Sequence, residues 1–178
     1  MSGKKFLIVV DMQNDFVDGA LGTAEAQGIV ETAANRIRAC REEGWTVIAT
    51  LDTHEENYLE TSEGRKLPVK HCVRQTAGWM LNPMIAEAVK GCVLLEKPTF
   101  GSVRLPEIIR LQTAPGDDVT IEVMGLCTDI CVVSNALLIK AHFPEARIAV
   151  RRDCCAGVTK EKHLAALETM ASCQIDIL

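Results

Sequence analysis

Short runs of apolar, β-branched residues alternate along this chain with segments of helical spacing, and this alternation limits the fold more than any other feature. Lys5–Val10 is continuously apolar after its first residue, as expected of a strand buried on both faces. Thr23 to Glu43 places apolar residues at 29/30, 33/34, 37 and 40, and Gly44 follows as a stop. Further strands are predicted at Thr46–Leu51, Cys92–Glu96, Asp118–Met124, Arg147–Val150 and Ile175–Leu178. Helices are predicted from Pro83 to Lys90, Ser102 to Gln112, Asp129 to His142 and Lys160 to Ser172. Strands and helices in this rhythm predict an α/β fold, with a parallel sheet covered on both sides.

In such sheets ligands gather beyond the carboxyl ends of the strands, near the switch in strand order. Asp11, Asp52, Lys97, Cys131 and Asp153 each follow one of the predicted strands, so five reactive side chains fall on one edge. Cys131 lies in Gly125-Leu-Cys-Thr-Asp-Ile-Cys131, a strand–turn–helix junction. A thiol there is expected to feel the positive end of the helix, which favours the thiolate. Backbone N–H groups at Cys127 and Cys131 are placed to converge on a developing oxyanion. Asp11 suits a general base and Lys97 a cation beside the thiolate, which together describe an activated nucleophile.

A second constellation is Asp52-Thr53-His54 with His71 in the polar segment that follows. One carboxylate and two imidazoles suit Zn²⁺, Mn²⁺ or Fe²⁺ with coordination positions left open. Glu55, Glu56 and Glu63 are close enough in sequence to add a ligand, and spacing does not choose among them. Asp52 to Leu81 shows no clear periodicity over roughly thirty residues, which predicts a polar loop that is either functional or disordered.

Composition excludes several classes. The chain of 178 residues suits one domain over 1–178, and 48% hydrophobic with 24% charged residues is ordinary globular material. A net charge of −5 without a basic cluster argues against nucleic-acid binding. No apolar run reaches membrane length, and the opening Met-Ser-Gly-Lys-Lys with its short run lacks the marks of a signal peptide. Eight cysteines placed mostly in apolar elements predict a reduced, cytoplasmic protein. No phosphate-cradling glycine motif follows the first strand, so no organic cofactor is expected. The helix opening at Asp129 is apolar nearly all round (Ile130, Val132, Val133, Ala136, Leu137, Leu138, Ile139), which predicts cover by a second subunit and a homo-oligomer.

Taken together, Asp11-Met-Gln-Asn-Asp-Phe16, Asp52-Thr-His54, Lys97 and Gly125-Leu-Cys-Thr-Asp-Ile-Cys-Val132 resemble the isochorismatase-like cysteine hydrolase superfamily. The resemblance implies a Rossmann-like three-layer sandwich whose six-stranded parallel sheet has the order 3-2-1-4-5-6. It implies an Asp11–Lys97–Cys131 triad and a cis peptide at Leu126–Cys127 that aims the Cys127 N–H into the oxyanion hole. Asp-x-His with a downstream His-Cys-Val is similar to the nicotinamidase branch, which implies a divalent metal on Asp52, His54 and His71, zinc foremost. Phe16 then matches an aromatic that stacks on the substrate ring. The implied activity is hydrolysis of a small carboxamide through a thioester. A carbamoyl or ureido compound, vinyl-ether hydrolysis of isochorismate, and a non-enzymatic scaffold remain as alternatives.

Overall fold

The computed structural model describes residues 3–178. Its centre is a six-stranded sheet of order β3-β2-β1-β4-β5-β6, and every neighbouring pair is parallel. The strands are β1 Lys4–Val10, β2 Thr46–Asp52, β3 Val93–Lys97, β4 Val119–Leu126, β5 Arg147–Ala156 and β6 Asp176–Ile177. In β1 the five consecutive residues Phe6 to Val10 are all buried, so both faces of the sheet are covered. The helices are α1 Asn14–Val17, α2 Ala24–Glu42, α3 Ser62–Lys66, α4 Pro83–Ala88, α5 Arg104–Arg110, α6 Val133–His142 and α7 Lys160–Ser172. They pack in two sets, α2 with α4 and α6 between α5 and α7, giving the three-layer sandwich.

Local chemistry sets the boundaries. Thr23, Asn82 and Thr159 cap α2, α4 and α7 with side-chain oxygens. Gly125, next to the end of β4, sits at φ +123, and a Cβ there would lie 2.1 Å from the Val10 carbonyl oxygen. Only glycine lets β4 run this close to β1, and that closeness brings the strand ends together.

Three expectations are corrected. First, β5 continues to Ala156 with a register shift against β4 between Val123 and Gly125, so Asp153 lies exposed within the strand rather than beyond its end. Second, the 52–81 segment carries a 3-10 turn, Tyr58–Glu60, and α3, and Tyr58 inside it is wholly buried. Third, a π turn, Thr128–Val132, precedes α6, so Cys131 sits within a wide turn rather than at the mouth of a regular helix.

The structure pins the 52–81 segment through the β1–α1 junction. Gln13 Nε2 donates to the carbonyls of Asp52 and Trp79 at 2.8 Å each, and Gln13 Oε1 accepts from Asp52 N at 2.7 Å. Asn14 donates to Ala77 O, and Asp15 accepts from Cys72 N at 2.7 Å. Backbone groups that no helix or sheet satisfies are met by one short run of amides and a carboxylate.

Candidate active site

Beyond the carboxyl ends of the strands, β1 and β4 lie side by side where the strand order reverses. Asp11, just past β1, is wholly buried at φ +46, a left-handed backbone that few residues other than glycine tolerate. Its carboxylate accepts from Thr50 Oγ1 at 2.6 Å and lies 2.6 Å from Lys97 Nζ. Lys97, the last residue of β3, reaches Cys131 Sγ at 3.5 Å, the Thr99 carbonyl at 3.1 Å and Asp52 Oδ1 at 3.3 Å. The sheet therefore brings Asp11, Lys97 and Cys131 into one cluster, with the cation between the carboxylate and the sulfur.

The electrostatics differ from the dipole argument. Burial, reinforced by Asp11, pushes the Cys131 thiol well above its usual range, and Lys97 only partly pulls it back. Asp11 is raised too, first by burial, against the pull of Lys97. Lys97 is held charged: burial works against it, but Asp11, Cys131 and Asp52 together raise it above the ordinary lysine range. Moving the thiol proton to Asp11 would leave the net charge of the cluster unchanged.

The peptide Leu126–Cys127 is cis. Cys127 is half-buried, and its own thiol is pushed up to about 12, mainly by burial and then by Asp129. Unlike Cys131, Cys127 has no lysine pulling its thiol back down, and its amide is the group of interest. Asn135, wholly buried on α6, donates to the carbonyls of Cys131 at 2.8 Å and Phe100 at 3.1 Å and accepts from Ser102 N at 2.9 Å. It ties the cysteine turn to the segment after Lys97. Thr50, Gln13 and Asn135 were not singled out in the sequence; a lone threonine in the apolar run Thr46–Leu51 was the only visible sign of the first.

Asp52, His54 and His71 also meet, with one ligand atom from each lying within 4.8 Å of the others. His54 Nε2 is 3.0 Å and His71 Nε2 3.6 Å from Asp52 Oδ2. His54 Nε2 is buried and, despite that distance, has no hydrogen-bond partner. His71 Nδ1 lies 2.8 Å from the Val69 carbonyl, to which it must donate, so Nε2 is left with the lone pair. Asp52 is drawn below the carboxylate range: burial opposes this, but His54, His71 and Lys97 outweigh it. His71 is raised by Asp52 against the effect of burial, so the cluster stabilises positive charge. An orphaned ring nitrogen, an oriented lone pair and an ionised carboxylate fit a divalent cation. Among the nearby glutamates Glu63 points here, 3.6 Å from His54 Nε2 and 3.7 Å from His71 Nε2, whereas Glu55 pairs with Arg74 and Glu56 with Lys70.

A cavity of about 260 Å³ joins the two clusters, lined by Cys127 and Cys131 on one side and Asp52, Glu63 and His71 on the other. Phe16 forms part of its wall and stands edge-on to His71, ring centroids 5.5 Å apart.

A parallel α/β sheet with a buried carboxylate–ammonium–thiol cluster at its switch point defines the class: an α/β protein built around a buried Asp–Lys–Cys cluster. The sequence model described as the Isochorismatase domain matches residues 5–178, so the chain belongs to the isochorismatase family. It is 31% identical to the nicotinamidase of Escherichia coli K12 over 85% of this chain and 83% of that protein. It is 28% identical to the nicotinamidase/pyrazinamidase of Mycobacterium tuberculosis H37Rv over 97% of each. Its fold superposes on the pyrazinamidase of Pyrococcus horikoshii, solved in complex with zinc, with a TM-score of 0.79, 30% identity and 98% of each chain covered.

Proposed function

We propose that this protein hydrolyses a small carboxamide through a thioester on Cys131, with nicotinamide the first substrate to test. The observation that carries the reading is the buried contact of Cys131 Sγ with Lys97 Nζ, itself ion-paired to Asp11, at the wall of a cavity of about 260 Å³. That volume lies just below the usual range of ligand sites, about 300 to 1,000 Å³, and suits a one-ring substrate.

Asp11 accepts the thiol proton as Cys131 Sγ bonds to the carboxamide carbon. The backbone N–H groups of Cys127 and Cys131 hold the oxyanion, and Lys97 balances the charge that moves between sulfur and carboxylate. When the C–N bond breaks, Asp11 returns its proton to the nitrogen and ammonia leaves. Asp11 then takes a proton from water, which attacks the thioester. The C–S bond breaks, the acid departs, and Asp11 returns that proton to the sulfur to restore the thiol. Asp52, His54 and His71 would hold a divalent cation, with Glu63 placed to join them; zinc is the first candidate, Mn²⁺ and Fe²⁺ the alternatives. When bound, that ion would offer open positions to a substrate lone pair such as a pyridine nitrogen. Phe16, beside His71, stacks on the ring.

The direct test is ammonia release from a panel of small amides. Cys131→Ala should lower turnover by at least about 10³-fold. Retained ammonia release would reject the thioester route, whereas no release from any amide together with isochorismate cleavage by both wild type and Cys131→Ala would point to vinyl-ether hydrolysis. A carbamoyl or ureido acid is the second reading, favoured by Lys162, the one cationic side chain among those lining the cavity. Half-buried Val133, Leu137 and Leu138 on α6 support a homo-oligomer, which light scattering would size. No helix among the described residues is long and apolar enough to cross a membrane.

A further inference from the structure

The turn that carries Cys127 and Cys131 is tied both within itself and from neighbouring elements. Inside it the amides of Ile130 and Val132 both donate to the Cys127 carbonyl, at 3.1 Å each. At its far end Asn135 and Ser134 of α6 donate to the carbonyls of Cys131 and Ile130, and its middle is held across the β5–α7 junction. Thr128, wholly buried between the two cysteines, has Oγ1 2.7 Å from His163 Nδ1 on α7. Its neighbour Asp129 accepts from the Val158 amide at 2.9 Å. Gly157 makes this approach possible: a Cβ there would stand 2.8 Å from His163 N and 2.9 Å from Asp129 Oδ1. Burial and the nearby Arg152 hold His163 below the ordinary histidine range despite Asp129, so the neutral ring shares one hydrogen bond with the hydroxyl in either tautomer.

We propose that His163 is a positioning residue for the reaction: through Thr128 it fixes the turn whose amides at Cys127 and Cys131 face the substrate. The inference rests on the amide-hydrolase reading. His163 touches neither substrate nor reacting atoms; it holds donors whose placement to within about an ångström governs stabilisation of the oxyanion.

The test measures kcat and KM for ammonia release by the wild type, His163→Ala, His163→Asn and Thr128→Val. Alkylation of Cys131 by iodoacetamide is followed in parallel. His163→Ala should lower kcat about 10- to 100-fold and leave KM within about threefold. His163→Asn, whose amide reaches the place of Nδ1, should restore most of the loss. Thr128→Val should match His163→Ala, and the double variant should be little worse than either. Alkylation uses the sulfur but not the oxyanion donors, so its rate should stay within about threefold in His163→Ala. Unchanged kcat, no rescue by asparagine, multiplying losses, or alkylation falling in step with turnover would each overturn the assignment. An inactive wild type would reject the hydrolase reading instead. Hydrogen exchange of the 126–132 peptide then decides the positioning role: His163→Ala should speed it and His163→Asn should not, and equal exchange in all three proteins would overturn it.

Discussion

At Cys131 two influences compete. The sequence places the thiol after a strand and before an apolar helix, which argues for a lowered pKa. The fold buries it beside Asp11, and burial with a neighbouring carboxylate outweighs both the turn and Lys97. On the proposed route the sulfur rests as a thiol and becomes nucleophilic by passing its proton to Asp11. Asp11→Asn removes a negative charge that raises the thiol, so it should lower the Cys131 pKa and speed iodoacetamide labelling at neutral pH. The same variant should abolish ammonia release, because the proton acceptor is gone. Labelling followed by intact mass across pH checks this, and a fall in labelling would contradict it. The positions of Asp11, Lys97 and Cys131 were readable from the ends of apolar runs. Their mutual protonation was not, since it depends on distances between segments far apart in sequence.

Among the elements, β1 and β4 set the cluster, and Gly125 sets their separation. Gly125→Ala would drive a methyl into the Val10 carbonyl at a backbone angle that alanine resists. It should cost about 2–4 kcal/mol of stability, measured by urea unfolding, with loss of activity from misplacement of both Asp11 and Cys131. The 52–81 segment teaches a different lesson. It has no hydrophobic period because polar side chains from Gln13 to Asp15 hold its backbone, so pattern reading could find the metal-type residues but not their support. Gln13→Ala, which releases both backbone groups of Asp52, should weaken divalent-metal affinity about 10-fold or more, measured by competition with a chelator. Likewise β5 looked short because Arg151, Arg152 and Asp153 are polar; Arg151 in fact turns to Glu122, where its charge is matched.

Across the whole molecule, Glu122 of β4 ties helix to sheet. It receives paired hydrogen bonds from Arg36 of α2 and from Arg151 of β5, though only 2% exposed. Burial alone would raise its pKa; the two guanidinium groups more than offset this and hold it below the ordinary carboxylate range. The stability it contributes is thus present above the unfolded glutamate pKa of about 4.3 and is lost as pH falls through the lower folded value. Glu122→Gln should lower stability at pH 7 by about 1–3 kcal/mol and flatten the acid limb of the stability curve, read by thermal unfolding between pH 7 and 3. The strand order and the gathering of reactive residues on one rim followed from alternating apolar runs together with the family resemblance, because burial on both faces leaves a parallel sheet few arrangements. The most direct measurement of the central claim is intact-mass analysis of the protein quenched in acid during turnover of a carboxamide. A transient acyl adduct mapped to the Cys131 peptide, and absent in Cys131→Ala, is the expected result; ammonia release at an undiminished rate by Cys131→Ala would contradict it.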